Sequence, residues 1–217
     1  MDKTKTVSYT AQNTYATLNR LTSKTKNVWM VFHGMGYLSK YFIRYFSELD
    51  PETNYIIASQ APSKYYQDMT FQHVGACWLT RENTELEIQN VLNYVDEVFK
   101  QEVQSPVPNL IVMGYSQGVS IAARWVARRK VHCDKLILHS GGIPKELKPE
   151  DFDFLSPSVP VIYLYGDQDK YVNEARKTEE SLLGNRLFGQ RLQVEVFSGI
   201  HEVHVPSLIR YSKGKDI

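Results

Sequence analysis

Gly114-Tyr115-Ser116-Gln117-Gly118 is the segment of this sequence best suited to covalent chemistry. A serine hydroxyl is a weak nucleophile until a base takes its proton and an acid orients that base. The pentapeptide follows the apolar run Leu110-Ile111-Val112-Met113 and opens a stretch with small residues on one face, Gly118, Ala122 and Ala123. That is the strand–turn–helix setting in which a serine is exposed on a strained turn. Small residues two positions away on either side let strand and helix approach. The helix N-terminus then directs backbone N–H groups and positive dipole at the serine oxygen.

Two later segments offer the partners, in the order acid then histidine. An apolar run over 159–165 leads into Gly166-Asp167-Gln168-Asp169-Lys170-Tyr171-Val172, and a run over 193–197 leads into Ser198-Gly199-Ile200-His201-Glu202. Asp167 and Asp169 share one loop. Either can bind backbone N–H groups as a turn former, but Asp169 lies further along and has more freedom to reach an imidazole, which favours it. His201 falls directly after its strand, whereas His204 opens the last helix, so His201 is the expected base. His33 ends a strand and is expected to hold the following loop by hydrogen bonding. His139 ends another strand, where it can approach the site, while His73 and His132 stand alone. No H-x-x-x-H, H-E-x-x-H or C-x-x-C spacing occurs, so no metal site is expected.

Developing negative charge on a reacting carbonyl needs donors. The run 28–32 leads into His33-Gly34-Met35-Gly36-Tyr37, a glycine-rich loop able to turn its N–H groups toward the serine. The backbone N–H groups of Met35 and Gln117 are the expected pair. Gly34, Tyr37, Trp78, Tyr171 and Val172, in the loops around these groups, are the expected substrate contacts; Trp78 serves equally well as core packing. The competing reading of Gly34-x-Gly36-x-x-Ser39 as a dinucleotide fingerprint lacks the third glycine, and the next strand ends in Ser59-Gln60 without an acidic ribose-binding residue.

These loops need a rigid frame. Runs rich in β-branched residues alternate with amphipathic stretches, the pattern of an α/β layered fold. Segments 7–11 and 14–21, joined at Gln12-Asn13, read as an opening antiparallel hairpin. Strands over 28–32, 55–59, 109–114, 135–139, 159–165 and 193–197 read as buried. Glu85, Ile88, Val91, Leu92, Val95 and Phe99 recur at helical spacing behind Asn83 as N-cap. Further helices are expected over 116–129, 174–187 and 205–211. The sum is one central, mostly parallel, eight-stranded sheet flanked by helices on both faces, in a single domain over 1–217. Residues 61–81 read as one long irregular loop carrying Tyr65, Tyr66, Met69, Phe71 and Trp78, long enough to line a binding site.

Composition narrows the partners. A net charge of +1 carries no electrostatic footprint of nucleic-acid or membrane-surface binding. Apolar runs such as 110–113 and 159–164 are too short to span a bilayer. The polar start, Met1-Asp2-Lys3-Thr4-Lys5-Thr6, leads into no signal-like apolar core, so a cytoplasmic location is expected. Cys77 and Cys133 form no disulfide framework and are expected to fill the core.

Phe32-His33-Gly34-Met35-Gly36, Gln60-Ala61-Pro62, Gly75-Ala76-Cys77-Trp78, Gly114-Tyr115-Ser116-Gln117-Gly118, Ser140-Gly141-Gly142, the loop 166–172 and Gly199-Ile200-His201-Glu202 together resemble the phospholipase/carboxylesterase group of α/β-hydrolases, which includes acyl-protein thioesterases. The resemblance runs over roughly four-fifths of the chain in the family's order. It implies an α/β-hydrolase fold without a lid domain, a triad of Ser116, Asp169 and His201, and hydrolysis of carboxylic esters, lysophospholipids or thioesters with no cofactor. A small acyl ester or thioester is then the expected partner, with no nucleic acid and no stable membrane insertion. A non-catalytic binding protein on the same fold is the alternative. The segment after Gly36, Tyr37-Leu38-Ser39-Lys40-Tyr41, is bulkier and more aromatic than the family's pattern.

Overall fold

The computed structural model describes residues 4–104 and 108–213. The first three residues of the polar N-terminal stretch and the last four of the expected 1–217 domain lie outside them. In chain order the elements are β1 (Tyr15–Leu18), β2 (Asn27–Phe32), α1 (Ser39–Phe42), β3 (Asn54–Ser59), β4 (Ser63–Tyr66), β5 (Val74–Cys77), α2 (Thr84–Glu102), β6 (Leu110–Tyr115), α3 (Gly118–Arg129), β7 (Lys135–His139), β8 (Val161–Gly166), α4 (Glu174–Phe188), β9 (Leu192–Phe197) and α5 (Val205–Ser212).

Strands covered on both faces need apolar residues at successive positions, and β2, β3 and β6 are buried along their whole length. The main sheet has seven strands in the order β1-β3-β2-β6-β7-β8-β9. Only β1 runs antiparallel, with Tyr15 opposite Ser59; every other pair is parallel. Side chains alternate between two cores. Met30, Phe32, Val112, Leu138 and Tyr163 pack with α2, α3 and α4 on one face. Trp29, Val31, Met113, Ile137 and Leu164 pack with Phe42, Phe46, Leu208 and Tyr211 on the other.

Four expectations are corrected. Residues 7–11 form no strand, so the opening hairpin is absent and the main sheet has seven strands instead of eight. Val7 and Tyr9 stand exposed, with no apolar face to cover, and β1 pairs with β3 instead. β9 is an edge strand with Val194 and Val196 exposed, because only β8 flanks it. Asn83 precedes α2 in a left-handed conformation and makes no side-chain cap bond. Most consequential for the site, residues 61–81 are not irregular: β4 and β5 pair as a two-stranded antiparallel hairpin. The bulky segment after Gly36 also folds, into the single turn of α1 and the 3₁₀ turn that follows it. Between β7 and β8 the chain forms one 3₁₀ turn, Pro149–Phe152. Among the described residues no helix is long and apolar enough to cross a membrane.

Candidate active site

The carboxyl ends of the parallel strands bring the expected groups together. β6 ends in Tyr115, and Ser116 turns the chain into α3 with φ of +52°, in the left-handed region that β-carbon sterics disfavour. Such a conformation costs about 1–3 kcal/mol and persists only where the surroundings impose it. Two glycines impose it here. A Cβ on Gly114 would lie 2.4 Å from the Gly118 carbonyl oxygen, and one on Gly118 would lie 2.1 Å from that of Phe32. Strand and helix are therefore in backbone contact, and the Ser116 N–H is held by the His139 carbonyl at 2.8 Å.

Ser116 Oγ lies 3.0 Å from His201 Nε2, and His201 Nδ1 lies 2.7 Å from Asp169 Oδ2. The Asp169 carboxylate only accepts hydrogen bonds, so Nδ1 carries the imidazole proton and Nε2 is left to accept from the serine hydroxyl. The second carboxylate oxygen of Asp169 takes the Tyr171 N–H at 2.8 Å. Its side chain is fully shielded from solvent, whereas that of His201 is 18% exposed. The base thus faces the surface and the acid lies behind it. The structure separates the competing candidates. Asp167 accepts the Gly199 N–H at 2.9 Å and ties the two loops together. His204 stacks flat on Phe197, 4.3 Å between ring centres, and bonds Ser207.

Gly34 is buried against the turn: a Cβ there would lie 3.1 Å from that of Ser116. Neither the Met35 nor the Gln117 backbone N–H has a hydrogen-bond partner among the described residues, so both are available to an incoming oxyanion. His33 anchors this loop, its Nδ1 donating to the Gly34 carbonyl at 2.7 Å and its Nε2 accepting the Ala61 N–H at 3.1 Å. Burial pushes its pKa down to about 4.

The expected substrate contacts divide. Tyr171 is exposed with its ring 4.8 Å from that of His201. Tyr37 is half-buried, bonds the Tyr45 hydroxyl at 3.1 Å and stands edge-on to Tyr115; burial raises its phenol pKa well above the usual range. Trp78 and Val172 are each 1% exposed, so Trp78 takes the core-packing role of the two open to it, and Val172 offers little surface as a substrate contact. The Trp78 indole N–H donates to the His33 carbonyl at 2.7 Å, so this ring supports the loop from the core.

Sequence reasoning missed three contributors. Tyr115, given no role from the sequence, donates its hydroxyl to the His201 carbonyl at 3.0 Å. The Gln117 side chain clamps the end of the hairpin, accepting the Trp78 N–H at 2.8 Å and donating to the Leu79 carbonyl at 2.8 Å. The hairpin in turn grips the Met35 loop: Gly36 N–H donates to the Ala76 carbonyl at 2.9 Å, and the Gln67 amide donates to the Gly36 carbonyl. These links join residues separated by 31 to 86 positions, and no local pattern announces them.

Comparison with known proteins agrees with this architecture. Acyl-protein thioesterase 2 of Zea mays superimposes with a TM-score of 0.70 at 15% identity, covering 93% of this chain and 96% of that one. A phospholipase/carboxylesterase from Dyadobacter fermentans superimposes with a TM-score of 0.65 at 19% identity, covering 94% and 98%. At such identities the likeness establishes the fold. A search of curated protein sequences finds no match. A family profile described as Phospholipase/Carboxylesterase matches residues 13–208. Because that match takes in every strand of the sheet and all the groups aligned on Ser116, the chain belongs to the phospholipase/carboxylesterase family of α/β-hydrolases, the esterase and thioesterase enzymes of this fold.

Proposed function

We propose that the protein cleaves carboxylic ester or thioester bonds through an acyl-enzyme formed on Ser116. The observation that carries this reading is the unbroken line from Ser116 Oγ through His201 to Asp169, at 3.0 and 2.7 Å, on a serine held at positive φ. Ser116 Oγ attacks the acyl carbonyl carbon while His201 Nε2 takes its proton. Asp169 fixes the tautomer and stabilises the imidazolium that forms. The Met35 and Gln117 N–H groups receive the oxyanion, each such donor being worth about 2.7–4 kcal/mol in the transition state. Collapse breaks the bond to the alcohol or thiol, which leaves with the proton from His201. A water, deprotonated by the same nitrogen, then attacks the acyl carbon and frees the acid and Ser116.

The surroundings favour an apolar acyl group. Met35, which carries one of the donor N–H groups, Tyr171 in the acid loop and Ile200 before His201 are exposed, and the hairpin adds exposed Tyr65, Tyr66, Phe71 and Val74. An apolar surface beside a few convergent polar groups suits a hydrocarbon chain better than a charged substrate. A fluorophosphonate probe tests the reading. Labelling at Ser116, lost in Ser116→Ala together with hydrolysis of p-nitrophenyl esters and acyl thioesters, is the expected result. Full activity in Ser116→Ala rules it out, and an unlabelled native protein without hydrolysis identifies a binding protein on the same fold.

A further inference from the structure

His201 sits in the segment 198–204 between β9 and α5, which has no strand or helix of its own. Its position relative to Ser116 is therefore set by bonds from neighbouring strand ends. On the near side, Asp167 accepts the Gly199 N–H at 2.9 Å and Gly199 accepts the Gln168 N–H at 2.9 Å. At His201 itself the Tyr115 hydroxyl grips the carbonyl. On the far side, the His204 N–H donates to His139 Nε2 at 3.1 Å.

His139 is the last residue of β7 and is fully buried. Its ring meets Tyr115 edge-on at 5.2 Å and Phe197 edge-on at 5.7 Å. Tyr115 lies between the two imidazoles, 5.3 Å from that of His201. Burying an imidazole is unfavourable unless both nitrogens find partners. Here Nε2 accepts, so Nδ1 carries the proton and donates to Ser140 Oγ at 3.1 Å. Packing alone would be served by an apolar side chain, as at Leu136 and Leu138 on the same strand. What an apolar side chain lacks is the acceptor.

We infer that His139 is a positioning residue for His201: its neutral imidazole, by accepting the His204 N–H, holds segment 198–204 so that Nε2 of His201 stays within hydrogen-bond reach of Ser116. Burial and the neighbouring His201 and His204 push the His139 pKa down to about 3, so the acceptor persists wherever His201 can act as a base. The inference rests on the assignment of Ser116 and His201 as nucleophile and base.

Its test compares His139→Phe, which keeps the ring and loses the acceptor, with His139→Gln, whose amide oxygen can replace Nε2. His139→Phe is expected to lower kcat about 10–100-fold, as displacement of a reacting group by about 1 Å does. KM should stay within about twofold, and fluorophosphonate labelling of Ser116 should slow by the same factor as kcat. His139→Gln is expected to recover most of the loss. Unchanged kcat in His139→Phe overturns the inference, as does an equal loss in both variants when both melt like the parent. Where His139→Phe does not fold, nitrogen NMR of the native protein decides: Nε2 unprotonated and Nδ1 protonated between about pH 5 and 8 is expected, and a protonated Nε2 overturns it. Ser116→Ala measured in parallel separates the two readings. Activity in Ser116→Ala removes the nucleophile assignment; an inactive Ser116→Ala beside an unimpaired His139→Phe removes only the role of His139.

Discussion

Two regions border Ser116, and they are built in opposite ways. The ends of β6, β8 and β9 carry the serine, the aspartate and the histidine on backbone that is packed against other backbone, with the acid wholly shielded. The β4–β5 hairpin presents Tyr65, Tyr66, Met69, Phe71 and Val74 to solvent; it meets the Met35 loop through one backbone bond, one glutamine amide and the close approach of Gly75, on the inner strand β5, to Gly36. Proton transfer tolerates displacement of tenths of an ångström, which only a close-packed frame secures. Contact with a flexible ligand tolerates much more, and the outer strand β4, exposed on every residue, can change with little cost to stability.

The sharpest way to test this contrast is within the acid loop. Asp169→Asn should lower kcat by about 10³–10⁴, since an amide can donate to Nδ1 and favours the wrong tautomer. Asp167→Asn, two residues away, should cost less than about tenfold, because Asp167 bonds a backbone N–H and not the imidazole. Comparable losses in steady-state kinetics of the two variants would erase the distinction between them. A smaller effect is expected at the turn: Gly118→Ala places a carbon 2.1 Å from the Phe32 carbonyl oxygen and should destabilise the fold by about 3 kcal/mol in urea unfolding. A wild-type midpoint would show that the strand–helix contact yields.

Buried neutral histidines give the frame a pH dependence of its own. His33 in the folded protein titrates near pH 4 against its ordinary 6.5, and His139 near 3. Between those folded values and about 6.5 the unfolded chain binds more protons than the folded one, so stability is fully present above pH 6.5 and declines as pH falls. Each histidine contributes about 1.4 kcal/mol per pH unit in that window. Thermal melts taken between about pH 7.5 and 4.5 should show a falling Tm, and a flat profile would contradict it. The smallest stability change is expected in the hairpin. Met69→Ser should alter stability by less than about 0.5 kcal/mol while raising KM for long-chain esters more than for acetate esters. A large loss of stability there would mean that the hairpin belongs to the frame.

Legibility followed the same division. Gly-x-Ser-x-Gly, the acid loop and the histidine loop each stand directly after an apolar run, so local sequence identified Ser116, Asp169 and His201. The structure brings all three onto one hydrogen-bonded line. From sequence the role of Trp78 is open between pocket wall and core, and Val172 is expected as a substrate contact though it is buried, because a residue's position in a loop does not say which way its side chain faces. The hairpin escaped notice since Ser63–Tyr66 is exposed on every residue and lacks the two-residue periodicity that marks a half-buried strand. Segment 7–11 failed for the converse reason: its alternation had no surface to cover.

What the sequence by itself determined is the succession of the six parallel strands with α2, α3, α4 and α5, and the candidates for the reacting groups, because burial periodicity and turn chemistry are local properties of the chain. Tertiary structure alone decided which loop residues reach the surface, that Gln67 fastens the hairpin to the Met35 loop while Gln117 fastens its end to the serine turn, and that the Tyr115 hydroxyl and the His139 ring bond the segment carrying His201. Those arrangements depend on pairings such as His139 with His204 and Tyr115 with His201, separated by 65 and 86 positions. Contacts at that distance exist only once the sheet has set its strands side by side.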